Sequence, residues 1–238
     1  MSAAFEEIDR RTTPMGEISL RRRLEPTLQV DVYEVILGEE HLMSSVFTAA
    51  EIALADLGLA QVAEDGLDVV VGGLGLGYTA AAVLRDERVR ALHVVEALGI
   101  VVEWHERHLV PLGTELTADP RCHLVEGDFF ALTATRQPYG PGAPERWHAI
   151  LVDIDHTPRH VLHPSHAPFY EPAGLAGVAA RLHPGGVFAL WSDDPPDAAF
   201  EGVLADVFER AEAHVVRFPN FHTGGEAANT VYVANVAG

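Results

Sequence analysis

Two acids and a histidine follow a short apolar run in the second half of the chain. Residues 148–152 have the composition of a buried strand, and Asp153, Asp155 and His156 come directly after them. Carboxylates and imidazoles at the end of a strand are well suited to take a proton from a reacting group. We therefore predict that these three residues are catalytic, with a turn-capping role for the aspartates as the alternative.

A glycine-rich segment separates an earlier apolar run from a stretch of helical composition. Residues 67–71 precede Gly73, Gly75 and Gly77, and an alanine-rich stretch follows. Glycines allow positive φ and let the backbone approach a ligand closely, and the N-terminus of the next helix favours electron-rich groups. The segment predicts a nucleotide-type binding loop, against the alternative of a simple tight turn.

Three further candidates stand at the ends of the next two predicted strands. Glu96 ends one of them, and Asp128 and Phe129 follow the other. A carboxylate in the Glu96 position can accept hydrogen bonds from ribose hydroxyls. Asp128 can accept a hydrogen bond from an adenine amino group, and Phe129 can pack on the ring. The alternative is that Asp128 caps a helix and that Phe129 belongs to the core.

Strands and helices alternate along most of the chain, and this order predicts an α/β fold with a mostly parallel sheet. Helices are predicted at 48–59, 79–84, 100–109, 175–182 and 198–213, and strands at 67–71, 91–95, 122–125, 148–152, 187–191, 214–218 and 230–234. The last two strands have no helix between them and should pair antiparallel. Because the carboxyl ends of parallel strands meet at one edge, the candidate residues should converge there.

The N-terminal part of the chain has a different pattern. Residues 17–37 alternate between apolar and polar side chains in two runs, which predicts a small β-hairpin. We accordingly divide the chain into an N-terminal tail and hairpin, 1–45, and a larger α/β domain, 46–238.

The composition excludes several classes of protein. The 238 residues carry a formal net charge of −19, from 35 acidic and 16 basic side chains, and such a surface repels nucleic acids. Every strong base is arginine, which excludes a lysine Schiff base and a P-loop lysine. No apolar run approaches the ~20 residues that cross a bilayer, so we expect no membrane association.

The location of the protein is predicted from its N-terminus and its cysteine content. Residues 1–16 lack the apolar segment of a secretion signal. The single cysteine, Cys122, cannot form an intrachain disulfide. We expect a cytoplasmic protein.

Four histidines crowd the stretch after the predicted strand 148–152. They are His156, His160, His163 and His166, with prolines between them that would interrupt any helix aligning them. We predict a polar, pH-sensitive segment without a bound metal, and the alternative is a metal site such as zinc completed by Asp153 or Asp155.

Together these motifs resemble the spermidine synthase family of aminopropyltransferases over about residues 17–236. The matching motifs are the glycine loop, Val94-Val95-Glu96, Gly127-Asp128, Ile150-Leu151-Val152-Asp153, Phe169-Tyr170-Glu171 and Leu182-His183-Pro184-Gly185-Gly186-Val187. The resemblance implies a Rossmann-like class I methyltransferase fold, with a mostly parallel seven-stranded sheet whose last strand is antiparallel. It also implies assembly into a homodimer or homotetramer.

The resemblance further implies a reaction. The donor is decarboxylated S-adenosylmethionine, or S-adenosylmethionine itself, and the acceptor is a small amine or another small molecule. An acid in the Glu96 position holds the ribose, one in the Asp128 position contacts adenine, and one in the Asp153 position orients and deprotonates the attacking amine.

Four positions depart from the family pattern, and two of them are glycine positions of the loop occupied here by Leu74 and Leu76. The loop aspartate that receives the amine of the aminopropyl group is replaced by Gly75, and the second acid after the fourth strand is replaced by His156. A small-molecule methyltransferase and an inactive nucleoside-binding protein therefore remain alternatives to an aminopropyltransferase.

Overall fold

The computed structural model describes residues 5–221 and 223–238. Its N-terminal part is an antiparallel sheet in the order β1-β2-β3-β4. The strands are β1 (Phe5–Thr13), β2 (Gly16–Glu25), β3 (Val30–Leu37) and β4 (Glu40–Ser44). The predicted hairpin corresponds to β2 and β3, and β1 and β4 enlarge it to four strands. Residues 1–4 of the predicted unit 1–45 lie outside the described residues.

The strand β1 was not predicted from the sequence because it has almost no apolar side chains. It is held in register by charge pairs across to β2, where Glu6 faces Arg22 and Glu7 faces Arg21. The Glu6 carboxylate accepts a hydrogen bond from the Arg22 guanidinium at 2.5 Å. Cross-strand pairs of this kind stabilise a sheet without producing apolar alternation in the sequence.

A second sheet has seven strands in the order β10-β11-β9-β8-β5-β6-β7. Its strands are β5 (Leu67–Gly72), β6 (Val89–Glu96), β7 (Cys122–Glu126), β8 (Trp147–Val152), β9 (Leu182–Ser192), β10 (Arg210–Asn220) and β11 (Gly225–Asn235). The strand β11 is antiparallel to both of its neighbours, whereas the other pairs are parallel. The predicted fold class is confirmed, including its antiparallel last strand.

Seven helices occur among the described residues, together with one 3₁₀ helix, Pro164–Tyr170. They are α1 (Ala49–Leu59), α2 (Tyr78–Leu84), α3 (Gly99–Glu106), α4 (Gly113–Ala118), α5 (Phe129–Ala134), α6 (Pro172–Ala179) and α7 (Ala198–Val207). No helix in these residues has both the length and the apolar character needed to cross a bilayer.

Two predicted helices have different bounds in the structure. The helix predicted at 198–213 ends at Val207, because the alternating pattern from Arg210 onward lies in the edge strand β10. The helix predicted at 175–182 is shifted to α6, which begins at Pro172, a residue favoured in the first turn of a helix. The shorter helices α4 and α5 were not predicted.

The register of the large sheet brings four strand ends to one edge. Gly72 at the end of β5 lies between Val95 of β6 and Val152 of β8, and Glu96 lies beside Glu126 of β7. These strands are anchored by a fully buried interior on both faces. The order of the strands reverses between β5 and β8, so the crevice for a ligand is expected at this edge. Residues of the N-terminal sheet, from β2 and β3, join the same apolar core.

Candidate active site

A cavity of about 400 Å³ opens at the carboxyl edge of the seven-stranded sheet. Its wall is formed by the segments that follow β5, β6, β7 and β8, together with residues of the N-terminal sheet and α1. Seven of the predicted site residues line it: Gly73, Gly75, Glu96, Asp128, Phe129, Asp153 and His156. Gly77 and Asp155 do not line it, and Gly77 instead precedes α2 at the helix N-terminus.

The glycine loop is held by close contacts that exclude side chains. Gly73 has a φ of +95°, and a Cβ atom there would overlap the carbonyl oxygen of Asp153. Gly75 has a φ of +48°, and a Cβ atom there would overlap the sulfur of Met43. The amide of Leu76 donates a hydrogen bond to the same Met43 sulfur at 2.8 Å. A thioether from the N-terminal sheet thus fills the space beside the loop where the family resemblance leads one to expect an acid.

Glu96 is fixed by backbone amides at the end of β6. Its carboxylate accepts hydrogen bonds from the amide of Leu74 at 3.0 Å and from that of Leu98 at 2.9 Å. Burial raises the pKa of Glu96, while the amide hydrogen bonds act in the opposite direction. Each carboxylate oxygen has a further lone pair, and the side chain lines the cavity, as a ribose-binding acid must.

Asp128 and Phe129 have the capping and core positions that the sequence analysis gave as the alternative, and both also line the cavity, so adenine binding stays a prediction. The Asp128 carboxylate caps α5 by accepting a hydrogen bond from the amide of Ala131 at 3.0 Å. Phe129 is almost fully buried and stacks on Tyr139 with ring centroids 5.1 Å apart. Both residues also line the cavity. Phe130 lines it as well and stacks on His166 at 4.1 Å.

Asp153 lies at the end of β8 and faces the cavity. Its carboxylate accepts a hydrogen bond from the Thr79 hydroxyl at 2.7 Å. Burial raises the pKa of Asp153 above its usual range, and the Thr79 hydrogen bond lowers it in part. A carboxylate of raised basicity is better matched to a proton-accepting role.

Glu51 of α1 is the site residue that the sequence analysis missed. It is 8% exposed, lines the cavity and is close enough to Asp153 for the two charges to interact. Burial, and then the charge of Asp153, raise the pKa of Glu51. A helical projection of α1 places Glu51 on the same face as the buried Leu54 and Ala55. An acid on the apolar face of a helix is the signal that would have found it.

Asp155 lies outside the cavity wall and is 1% exposed. Its carboxylate accepts hydrogen bonds from the amide of Leu162 at 2.7 Å and the hydroxyl of Tyr170 at 2.8 Å, and it lies 2.9 Å from Nδ1 of His166. These contacts are internal to residues 154–170, which we call the lid, and hold that segment together. The structure does not bring Asp155 to the cavity wall with Asp153, and a catalytic role for Asp155 stays a prediction.

The histidines of the lid are distributed rather than clustered around one point. Nε2 of His156 lies 2.9 Å from the Glu40 carboxylate, and its ring lies 5.0 Å from that of His160. His163 and His166 are 5.9 Å apart between ring centroids. In the described residues no group of three or more potential ligands is arranged to hold a metal ion.

The sheet order, the single antiparallel strand and the glycine loop facing a strand-end acid define a class I methyltransferase-like fold with a nucleoside-type site. Two solved structures share this fold: the spermidine synthase of Thermotoga maritima, with a TM-score of 0.71 and 17% identity, and a spermidine synthase in complex with the transition-state analogue AdoDATO, with a TM-score of 0.73 and 16% identity. Each alignment covers 96% of this chain, with 72% and 73% of the respective structures covered.

Sequence similarity points to the same proteins. The chain is 30% identical over 164 residues to polyamine aminopropyltransferase 2 of Pseudomonas aeruginosa and 33% identical over 140 residues to the polyamine aminopropyltransferase of Prochlorococcus marinus. These alignments cover 65% and 58% of this chain and 43% of each relative, so the match spans less than half the length of the relatives. No protein-family model matches the chain. The chain is thus similar in sequence to polyamine aminopropyltransferases and in fold to spermidine synthases.

Proposed function

We propose that this chain transfers an aminopropyl group from decarboxylated S-adenosylmethionine to an amine, with Asp153 as the proton acceptor. The observation that carries the proposal is the position of Asp153, which is partly buried, lines the cavity and has its backbone carbonyl against Gly73 of the glycine loop. Relatives named polyamine aminopropyltransferases support the reaction type.

The adenosine end of the donor is proposed to bind along the ends of β5, β6 and β7. Glu96 accepts hydrogen bonds from the ribose hydroxyls, and the free oxygen of Asp128 accepts one from the adenine amino group. Gly73 and Gly75 let the backbone approach the donor near its sulfur. The tight packing of the loop supports this role, because neither position leaves space for a side chain.

The reaction requires an uncharged amine, since an ammonium group has no lone pair with which to attack. Asp153 takes the proton from the acceptor ammonium, and the nitrogen attacks the methylene carbon next to the sulfonium. The new C–N bond forms as the C–S bond breaks, and the sulfur keeps the electron pair, so that methylthioadenosine leaves. The site contributes mainly by holding the two reactants in line.

Release of methylthioadenosine from decarboxylated S-adenosylmethionine and an amine tests this proposal directly. We expect Asp153→Asn to keep donor binding and to lower turnover by about 100-fold or more. Asp206→Asn, at an exposed position of α7, is the matched control and should behave as the wild type. Wild-type turnover in the Asp153 variant would refute the assigned role.

Methyl transfer from S-adenosylmethionine is the second candidate, and the Met43 sulfur favours it. That sulfur fills the space beside Gly75 in which the family resemblance places the acid for the aminopropyl amine. Calorimetry with both donors distinguishes the candidates, because preference for the carboxylated donor favours methyl transfer. Tight donor binding without any product would instead support an inactive nucleoside-binding protein.

The partners of the chain are proposals too. We propose a small amine as acceptor, with assembly into a homodimer or homotetramer and a cytoplasmic location. The strongly acidic composition supports a cationic acceptor, because a negative surface attracts ammonium groups.

A further inference from the structure

The acids that line the cavity fall into two groups. In the described part of the chain they are Glu51, Glu96, Asp128 and Asp153. Glu96 and Asp128 stand at the ends of β6 and β7, where the adenosine is proposed to bind. Glu51 and Asp153 form a separate pair, in which each carboxyl is near enough to feel the charge of the other.

The carboxyl of Glu51 lacks a cationic partner. The side chain is 8% exposed and forms no ion pair within the described residues, and the ionisable groups near it include Asp153 and Tyr78. The Thr79 hydroxyl links this region to Asp153, with distances of 2.7 Å to Asp153 Oδ2 and 3.3 Å to the Glu51 carbonyl oxygen. The buried carboxyl of Glu51 and the partly buried carboxyl of Asp153 both line the cavity and are complementary to ammonium groups, because a charge removed from water requires a partner.

The N-terminal sheet and the segments flanking its strands supply an apolar part of the wall. They contribute Pro14, Met15, Ile18, Val35, Leu37, Leu42 and Met43. The lid adds Ile154, His156, Leu162, His163, Ser165 and His166. None of these side chains carries a negative charge that an additional ammonium group could use.

The ammonium groups of the proposed reaction match this count, while the positive charge of the donor's sulfonium belongs to the adenosyl part and disappears when the C–S bond breaks. Transfer of an aminopropyl group brings two ammonium groups into the cavity, one at the tip of the transferred arm and one on the acceptor. Glu51 and Asp153 provide one carboxyl for each. The far end of a diamine would be a third ammonium group, and it would meet the apolar wall without a partner.

We propose that the acceptor is a primary amine with a single charged end and an apolar body that lies on the N-terminal sheet. This inference rests on the proposed function and adds the class of acceptor to it. It assigns to Glu51 the binding of the ammonium group of the aminopropyl arm. Gly75 of the glycine loop has no side chain with which to bind that group.

The test compares hexylamine with hexamethylenediamine, which differ only in the second amine. With decarboxylated S-adenosylmethionine at pH 8, we expect kcat/KM for hexylamine to be about 100-fold higher. The distal amine of the diamine has to lose its proton to enter the apolar part of the cavity. The fraction of uncharged amine falls tenfold for each pH unit below the amine pKa of about 10.4, and this sets the expected factor at pH 8. Equal values, or preference for the diamine, overturn the inference.

A new carboxyl in the apolar wall should admit the diamine. In Leu37→Glu, the kcat/KM values for hexylamine and hexamethylenediamine should lie within about tenfold of each other. The uncharged control Leu37→Gln should keep the preference for hexylamine. Thermal melting verifies that both Leu37 variants are folded. If they are not folded, the pair Leu42→Glu and Leu42→Gln is used instead. An unchanged preference in the folded glutamate variants contradicts the inference.

Failure of the proposed function gives a different result from failure of this inference. If no amine releases methylthioadenosine, the proposed function is wrong. Calorimetry of the two amines with the protein saturated with decarboxylated S-adenosylmethionine, whose arm ammonium occupies Glu51, then still tests the acceptor class. Tighter binding of hexylamine supports the inference, and equal or tighter binding of the diamine overturns it.

Discussion

At the scale of single residues, the site depends on how Asp153 is held. The carboxylate is partly buried, accepts a hydrogen bond from the Thr79 hydroxyl and lies near Glu51, so its environment favours proton uptake more than water does. The same environment ties its charge state to pH. Both the activity and the stability of the protein should therefore depend on pH in a defined direction.

Asp153 must be ionised to accept a proton, and its pKa is raised. As the pH is lowered, kcat/KM should therefore begin to fall at a higher pH than it would with an aspartate of ordinary pKa. Thr79→Ala removes a hydrogen bond that lowers this pKa, so its acid limb should move to still higher pH. An acid limb of the wild-type kcat/KM profile at the usual aspartate pKa of about 4 contradicts the account, and so does a shift of the acid limb of Thr79→Ala to lower pH.

Glu51 should make the free protein less stable as the pH rises. Its folded-state pKa is raised, so its contribution to stability is complete below the pKa of the unfolded chain and is lost as the pH rises through the folded-state pKa. Glu51→Gln removes this loss and should gain stability relative to the wild type between pH 5 and 8. The gain is about 1.4 kcal/mol for every tenfold difference between the proton affinities of Glu51 in the folded and unfolded chains.

Urea unfolding of the wild type and of Glu51→Gln at pH 5 and at pH 8 measures this gain in stability. The control is Glu106→Gln, at an exposed position of α3, whose effect should not depend on pH. A Glu51→Gln effect that is equally independent of pH shows that Glu51 is not a buried titrating group.

At the scale of elements, the glycine loop joins β5 to α2 and presses against the end of β8. Gly73 has positive φ and faces the Asp153 carbonyl without space for a Cβ atom. Gly177 of α6 lies in a helix and has open space around it. The two positions therefore respond to the same substitution in opposite ways.

Gly73→Ala should lower the free energy of unfolding by about 1–3 kcal/mol or more and weaken methylthioadenosine binding, because it adds both strain and overlap. Gly177→Ala should raise stability by up to about 1 kcal/mol and leave binding unchanged, since alanine is the better helix former. Denaturant unfolding and calorimetry measure both. Normal binding in a folded Gly73→Ala variant would show that the loop does not contact the ligand.

The large sheet could be predicted because its strands are buried on both faces and end in recognisable turns. The edge strands were predicted only in part. β1 is charged and was missed, and only 214–218 of β10 was predicted, because its first residues alternate in a way that also fits the end of a helix. The helix α5 is short, and its cap residue Asp128 equally fits a ligand contact.

The candidate site was predictable to the same extent. Residues at strand ends follow from the sheet, so Glu96 and Asp153 were found together with the loop glycines. Glu51 and Met43 reach the cavity from α1 and β4, and this depends on packing between elements that no local pattern records. Asp155 looked equivalent to Asp153 in sequence, but the lid turns it away from the cavity.

At the scale of the whole molecule, the N-terminal sheet covers a cavity that the α/β domain forms at its strand ends. The chain also carries a formal net charge of −19. A field of this sign concentrates cationic ligands near the protein at low ionic strength, and salt screens it.

The KM for an amine acceptor should therefore rise as salt is raised from about 0.05 to 0.5 M. Methylthioadenosine has no net charge and serves as the control ligand, and its Kd should stay constant over the same range. Steady-state kinetics and calorimetry give the two quantities. A constant KM for the amine would show that the acidic surface does not guide the acceptor.

The central claim is that one cavity holds an adenosyl group with its sulfur directed toward the Glu51 and Asp153 pair. A crystal structure of the protein with methylthioadenosine measures this most directly. We predict ribose hydroxyls on Glu96, the adenine amino group at Asp128, and the sulfur between the glycine loop and Asp153. A nucleoside bound elsewhere, or bound with its sulfur turned away from Asp153, would contradict the account.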